Sequence, residues 1–194
     1  MSSPGEAVNS RDLRLLARLR EIGIRRGRFS LTELARVEGV THVAVGKRLR
    51  RLIARGEYRL VPEVDLSKLG YKLALVKVEV PGYAELERLK GLYAKCPRTI
   101  WMMESMGDYS LIILMYAEND AVLKSILTCC SVRTRPEVRK SEVEVGEIVG
   151  GFAPIVPPVG GELSEAPCGV CCAECQRYES GDCKGCPLTV HYRP

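Results

Sequence analysis

The sequence predicts an α+β protein built from four parts, and three observations carry that prediction. Apolar residues recur at helical spacing through residues 11–55. Later segments follow the order β-α-β-β-α-β. Six of the nine cysteines fall within nineteen residues near the C-terminus. The predicted parts are a helical domain, an α/β domain, a Pro- and Gly-rich linker and a small Cys-rich tail, over residues 1–62, 63–149, 150–167 and 168–194.

The composition of the 194-residue chain is that of a soluble globular protein, because 46% of its residues are hydrophobic and 27% are charged. It has no apolar run of about 18 residues, so no membrane association is predicted. The N-terminus lacks the basic and apolar regions of a secretory signal. These features predict a cytoplasmic protein, in which reduced cysteines favour metal binding over disulfides.

Positive charge is concentrated in the first third of the chain. Residues 1–61 contain 14 Lys and Arg against 6 Asp and Glu, whereas residues 62–194 contain 15 against 18. A basic domain on a mildly acidic remainder indicates an anionic partner for the N-terminal part, most simply nucleic acid. A basic surface exposed only to solvent is the alternative.

Three helices are predicted within residues 11–55. The second begins at Ser30-Leu-Thr-Glu33, a capping box in which Ser30 and Glu33 would satisfy each other's free backbone donors, and it ends at Gly39. The third begins after Thr41, a favourable N-cap, and is rich in Lys and Arg. Because only about three residues separate these helices, they are predicted to form a helix-turn-helix, with a short extended wing over 57–62.

The middle of the chain predicts a ferredoxin-like domain. Alternating or apolar segments predict strands, and helical periodicity predicts two helices; the strands cover 71–80, 98–104, 109–117 and 137–148, and the helices cover 83–96 and 119–130. In this split βαβ arrangement the helices cover one face of an antiparallel sheet. The other face carries Leu73, Leu75 and Trp101. A bare apolar face predicts dimerisation.

The third helix supplies the candidate DNA-binding residues. A helix in the major groove presents its N-terminal half to base edges and its flanks to phosphates. The predicted contacts with double-stranded DNA are Thr41, His42, Val43, Lys47, Arg48 and Arg51. A basic helix packed on a partner domain is the alternative, but the short turn and the bias towards arginine favour DNA.

The tail is the strongest chemical signal in the sequence. Two C-x-x-C pairs would supply the four thiolates that tetrahedral zinc prefers. An iron–sulfur cluster is the second interpretation and disulfides are the third. The candidate metal ligands are Cys168, Cys172, Cys175, Cys183 and Cys186. Zinc would make the tail a structural unit or a protein contact, and a cluster would make it a redox or oxygen sensor.

The remaining cysteines are not needed by the zinc interpretation. Cys168 and Cys171 are surplus there, because two C-x-x-C pairs already supply four thiolates, whereas the cluster interpretation uses Cys168 and either Cys171 or Cys172. Adjacent Cys171 and Cys172 do not easily bind one mononuclear ion together. Cys96, Cys129 and Cys130 are predicted at helix ends or on inward faces, where free cysteines usually behave as small apolar residues.

Several phrases, in this order and spacing, resemble the Lrp/AsnC family of transcription regulators over roughly residues 11–150. They are Leu31-Thr-Glu-Leu34-Ala35, Gly39-Val-Thr41, Val45-Gly-Lys-Arg48, Asp65-Leu-Ser-Lys-Leu69-Gly70-Tyr71 and Gly107-Asp-Tyr109-Ser-Leu111. The resemblance implies a winged helix-turn-helix followed by a ligand-sensing α/β domain that dimerises, often into larger rings. Many members bind an amino acid or a similar small molecule between protomers.

The resemblance also implies an effector site, with two departures from the family pattern. The implied effector residues are Met106, Gly107, Asp108 and Ser110. The family usually has Asp where Ser110 stands, so binding of an amino acid through its ammonium group is weakened. Gly46 is unusual inside the recognition helix, where it costs about 1 kcal/mol relative to Ala.

Two functions other than DNA-binding regulation fit parts of the sequence: a tetrapyrrole decarboxylase and an assembly protein. Sirohaem decarboxylases resemble the same two-domain plan, but their chemistry calls for His or Arg around a tetrapyrrole polycarboxylate. No His lies between residues 62 and 190, and no nucleophile–base arrangement stands out, so the sequence predicts a regulator and not an enzyme. An assembly protein that has lost DNA contact is supported only by Gly46.

Overall fold

The computed structural model of the protein describes residues 9–149, 153, 155 and 160–194. Residues 1–8 and, within the predicted linker, residues 150–152, 154 and 156–159 lie outside this range. The chain divides into two compact units, one up to Leu60 and one from Val61 onward. Within the described residues, none of the helices combines the length and the apolar composition that crossing a bilayer requires.

The first unit contains the three predicted helices: α1 (Ser10–Arg26), α2 (Leu31–Glu38) and α3 (His42–Ala54). Their inward faces form one apolar core, which consists of Leu15, Leu19, Ile22, Leu34, Ala35, Val45, Leu49 and Leu52. Gly39 adopts the left-handed conformation with φ of 67°, which ends α2 and turns the chain into α3.

The caps of these helices follow the prediction only in part. The Ser30 hydroxyl accepts a hydrogen bond from the Glu33 backbone N–H at 3.1 Å. The Glu33 carboxylate, however, accepts from Arg25 at 2.8 Å, so its position is set by ion pairing with α1 rather than by a reciprocal capping box. The Thr41 hydroxyl caps α3 by accepting from the Ala44 N–H at 3.2 Å. Residues 57–62, predicted as an extended wing, form neither helix nor strand.

The second unit contains the predicted βαββαβ order. Its elements are β1 (Lys72–Glu79), α4 (Tyr83–Tyr93), β2 (Thr99–Glu104), β3 (Leu111–Ala117), α5 (Asp120–Cys129) and β4 (Lys140–Gly146). The strands form an antiparallel sheet in the order β2-β3-β1-β4. Core residues shared by the helices and one sheet face include Ala74, Val76, Leu89, Tyr93, Ile113, Met115 and Ile126. The α+β prediction is confirmed.

The second face of the sheet is partly covered by the chain itself. A small apolar cluster on this face consists of Leu66, Tyr116, Ala153 and Ile155, with Leu73 packed against it. Tyr71 stacks on Tyr116 with ring centroids 5.6 Å apart. Towards the β2 edge, Trp101 and Met103 remain 43% and 46% exposed. The predicted bare face is therefore limited to the region around β2.

The tail belongs to the same compact unit as the sheet. A 3₁₀ turn over Cys172–Glu174 precedes a single helical turn, α6 (Gln176–Glu179). Leu163 pairs with Thr189 in a parallel bridge, which joins the last part of the predicted linker to the end of the tail. The tail therefore has its own short-range connections and also packs against the α/β elements.

Candidate DNA-binding surface and thiol pocket

Helix α3 presents an exposed basic side opposite its buried stripe. Val45, Leu49 and Leu52 point into the core, whereas Lys47 and Arg51 are exposed. The predicted groove-floor residues Thr41, His42 and Val43 are also exposed. The first turn and the cationic side chains of α3 are thus available to a partner at the same surface.

Arg48 differs from the other predicted DNA contacts because it has a partner inside the domain. Its guanidinium forms an ion pair with Asp12 of α1, whose side chain is only 5% exposed. The second Asp12 oxygen accepts a hydrogen bond from the Asn9 side chain at 2.7 Å. Arg48 therefore joins α3 to the beginning of α1, a role that its position on the predicted basic face did not indicate.

A groove beside this surface extends the positive region. It lies between α1 and the α2–α3 turn, has a volume of about 730 Å³, and is lined by residues that include Arg11, Arg14, Arg18 and Arg48. The lining also includes Glu21 and Glu38. Arg18 already pairs with Glu21, and Arg48 already pairs with Asp12. Arg11 and Arg14 are therefore the cations of this groove that best suit an anion such as the phosphate backbone.

The predicted effector residues lie in the connection between β2 and β3. Met106 is fully exposed, and Gly107 and Asp108 are also exposed. The Ser110 hydroxyl accepts a hydrogen bond from the Val80 N–H at 3.2 Å, so it already has a partner within the domain. These residues form an exposed hairpin in the single chain.

The most unexpected feature is a small cavity between the tail and the α/β elements. Its volume is about 50 Å³. Eight of the nine cysteines line it: Cys96, Cys129, Cys130, Cys168, Cys172, Cys175, Cys183 and Cys186. Cys171 is not among its lining residues. The structure thus brings all five predicted metal ligands to one cavity, here called the thiol pocket, together with three cysteines that the sequence interpretation treated as apolar.

The thiol pocket is not arranged as a finished metal site. All nine cysteines are free thiols. Within the described residues, no group of three or more His, Cys, Asp or Glu side chains has positions that would hold an ion. Its chemistry nevertheless fits a soft metal. Apart from the hydroxyls of Ser125 and Tyr178, the side-chain atoms on its wall that can coordinate a metal ion are cysteine sulfurs.

Two sulfurs of the C-x-x-C pairs accept backbone hydrogen bonds. The Cys186 N–H donates to the Cys172 sulfur at 3.3 Å, which connects the two pairs. The Gly185 N–H donates to the Cys183 sulfur at 3.4 Å within the second pair. Gly185 has φ of 84°, and a Cβ there would lie 2.7 Å from the His191 carbonyl oxygen. Only glycine fits this turn, which directs backbone N–H groups towards sulfur.

Burial controls the protonation of these thiols. It raises the pKa of Cys130 well above its ordinary value, and the neighbouring Cys168, Cys96 and Cys183 thiols raise it further. Burial likewise raises the pKa of Cys186 to about 11. Without a cation these two thiols are therefore neutral at pH 7, and a metal bound by them would have to displace their protons.

A buried ion pair attaches the tail to the sheet. Arg98 at the start of β2 pairs with Glu118 after β3, and their side chains are 4% and 7% exposed. Arg98 also donates to the Gly185 carbonyl at 3.1 Å, and the Tyr192 hydroxyl donates to Glu118 at 2.8 Å. Burial raises the pKa of Glu118, but the Arg98 hydrogen bond and charge lower it by more, so the carboxylate stays ionised.

A second polar connection holds the other side of the pocket. Arg135 donates to the Tyr93 hydroxyl at 2.8 Å and to the Cys168 carbonyl at 2.9 Å. The Tyr93 hydroxyl in turn donates to the Cys130 carbonyl at 2.9 Å. The backbone of a tail cysteine and the backbone of an α5 cysteine are therefore fixed by one chain of hydrogen bonds.

Comparison with known proteins supports the assignment of the fold. The sequence is 27% identical over 105 residues to the HTH-type transcriptional regulator FL11 of Pyrococcus horikoshii, covering 52% of this chain and 68% of that protein. The structure matches E. coli AsnC with a TM-score of 0.55 at 17% identity, over 75% of this chain and 96% of that one. The chain therefore has the AsnC fold.

A further structural neighbour is a transcriptional regulator from Neisseria meningitidis solved as a complex with L-methionine. It has a TM-score of 0.55 at 13% identity, and the match covers 79% of this chain and 98% of that one. No family model matches the sequence. These AsnC-type matches cover at most about four-fifths of the chain.

Proposed function

We propose that this protein is a DNA-binding transcription regulator of the Lrp/AsnC family. The observation that carries the proposal is the exposed basic side of α3 in a chain with the AsnC fold. The sequence relatives are HTH-type regulators, which favours regulation over the sirohaem-decarboxylase alternative. The chain is accordingly proposed to act by binding and not by catalysis.

DNA recognition would combine base reading and phosphate contact on one helix. Thr41, His42 and Val43, in and just before the first turn of α3, would face base edges, and Lys47 and Arg51 would neutralise phosphates. Each phosphate contact releases counterions, so affinity would fall steeply with salt.

The α/β unit would pair two copies of the chain. The face near β2 leaves Trp101 and Met103 about half exposed, and aromatic and methionine side chains are enriched in protein interfaces. Contact with a second copy through this face would produce a homodimer, from which larger assemblies can form. Two copies would also place two basic helices against one DNA duplex.

The proposed effector is an amino acid or another small molecule. The neighbour from N. meningitidis was solved with L-methionine. In this chain Met106, Gly107 and Asp108 are exposed for contact with a ligand or partner, and Ser110 beside them is partly buried. Because Ser110 provides no carboxylate, we expect the effector to be held through groups other than an ammonium.

The tail would hold zinc or, alternatively, an iron–sulfur cluster. The five predicted ligands all line the thiol pocket, and backbone N–H groups already donate to two of the sulfurs. Zinc would link the two C-x-x-C pairs, whereas a cluster would add redox sensitivity. Changing Cys172 and Cys175 together to Ser should remove the metal and leave the dimer intact, as measured by elemental analysis and sedimentation.

DNA binding is tested by measuring affinity for genomic fragments as a function of salt concentration. Arg51→Ala should weaken binding and reduce the slope of log affinity against log salt by about 0.9. Arg20→Ala, which removes the same charge from an exposed position on α1, is the matched control and should leave the slope unchanged. The proposal of a DNA-binding regulator would be refuted if the intact, metal-loaded protein bound DNA only weakly and without sequence preference, even with candidate effectors added.

A further inference from the structure

The cysteines of the α/β domain lie on the wall of the thiol pocket opposite the tail. We infer that Cys96 and Cys130 are ligands of the metal centre, so that one thiophilic site is shared between the tail and the α/β domain. This inference rests on the proposed metal in the tail and extends it to residues outside the tail. From the sequence alone, these two cysteines are predicted only to pack as small apolar residues.

The position of the domain thiols supports a shared site. The loop after α4 contributes Cys96, and the C-terminal end of α5 contributes Cys130. Both residues line the pocket together with Cys168 of the tail. Cys129 also lines the pocket, but its sulfur lies 3.8 Å from the Thr128 hydroxyl, a possible hydrogen-bond partner, which makes it the weaker candidate.

Polar contacts already hold the two walls in register. Arg135 binds the Cys168 carbonyl and the Tyr93 hydroxyl, which binds the Cys130 carbonyl. On the other side, buried Arg98 binds Gly185, which lies between the two cysteines of the second C-x-x-C pair. Because no three of these side chains are grouped around one point among the described residues, metal binding would require thiols on both walls to rotate towards a common centre.

The donor set defines the class of ligand. Thiolates select zinc, copper(I) and iron–sulfur clusters, whereas magnesium and calcium prefer oxygen. A pocket with seven candidate sulfurs exceeds the four that one zinc ion needs, so either a cluster or more than one ion can be held. In each case metal–sulfur bonds from both walls would fasten the tail to the sensing domain.

The test measures metal content and affinity in the full-length protein, purified without oxygen. Cys96→Ser/Cys130→Ser should weaken zinc or iron retention by at least about 10-fold in competition with a chelator. Cys171→Ser is the matched control, because this cysteine lies in the tail but outside the pocket, and it should retain metal as the native protein does. Cadmium substitution adds a count of bound thiolates through the intensity of the sulfur-to-metal absorption, which should fall in the double variant.

The outcomes separate this inference from the proposal on which it rests. If native protein binds neither zinc nor iron, the proposed tail metal fails. If native protein binds metal and Cys96→Ser/Cys130→Ser binds it equally tightly with the same thiolate count, the tail site stands and the shared site is refuted. An absorption spectrum distinguishes colourless zinc from a coloured iron–sulfur cluster.

A second measurement guards against misfolding of the double variant. Thermal unfolding with excess chelator should be nearly the same for native protein and for Cys96→Ala/Cys130→Ala, because alanine removes the sulfur without adding a buried hydroxyl. Limited proteolysis should release the tail from chelator-treated native protein faster than from metal-loaded protein. Equal release rates in the two states would contradict a metal that fastens the tail to the domain.

Discussion

Arginine has different roles in the two units of this protein. In the N-terminal unit, Arg51 lies exposed on α3 and can meet a partner. In the second unit, Arg98 is 4% exposed and is already bound to Glu118 and to the tail. The exposed arginines of the first unit are therefore available to an anionic partner such as DNA, whereas the buried Arg98 of the second unit fixes the tail to the sheet. The following variants test that difference.

The largest effect is expected for the buried pair. Arg98→Met keeps an extended apolar side chain but leaves the Glu118 carboxylate buried without its cation. Breaking such a pair costs about 3–5 kcal/mol of unfolding free energy. Urea unfolding of metal-loaded protein, followed by the fluorescence of Trp101, the one tryptophan in the chain, reports on this unit.

The matched control comes from the other unit. Arg18 pairs with Glu21 on the surface of α1 at 3.0 Å, and both side chains are more than half exposed. Arg18→Met should therefore change the unfolding free energy by at most about 1 kcal/mol. A loss of similar size in both variants would show that burial does not distinguish the two arginines. Adding Glu118→Leu to Arg98→Met should recover part of the loss, because no uncompensated charge remains.

The sequence predicted local structure well because helix and strand periodicity depends on neighbouring residues. It could not predict the attachment of the tail, because Arg98 and Gly185 are far apart in the chain and no local pattern connects them. One available signal was an arginine at the start of an otherwise apolar strand. A second was Cys96 and Cys130 at the ends of two helices that flank one sheet. Neither signal identifies the tail as the partner, because only the folded structure brings the tail next to Arg98, Cys96 and Cys130.

An intermediate effect is expected for the half-buried pair in the N-terminal unit. Arg48→Ala leaves the 5%-exposed Asp12 carboxylate with the Asn9 side chain as its remaining polar side-chain contact. The loss of unfolding free energy should be about 2 kcal/mol, measured by circular dichroism of the helices. Lys47→Ala, the adjacent exposed cation, should change it by less than about 0.5 kcal/mol.

The Arg48–Asp12 ion pair also determines how a loss of DNA binding in Arg48→Ala must be interpreted. Asp12→Asn removes the buried charge that Arg48 compensates, so Arg48→Ala should be much less destabilising in an Asp12→Asn background. If Arg48→Ala still weakens DNA binding there, the guanidinium contacts DNA directly. Equal losses of stability in the two backgrounds would mean that the Asp12 pair contributes little.

The smallest expected effect is a gain in stability within α3. Gly46 has no positive φ, and a Cβ at this position would meet the Leu31 side chain at an ordinary 3.8 Å. Gly46→Ala should therefore raise the unfolding free energy by about 0.5–1 kcal/mol, because glycine loses more backbone freedom in a helix. Gly46 lines the same groove as His42 and Val43, the proposed base-reading residues. Alanine adds a methyl group but no charge, so we expect the salt dependence of DNA binding to be unchanged. A more stable variant with weaker DNA binding would instead show that the backbone of α3 approaches the duplex at Gly46, and the recognition surface would then extend towards α2.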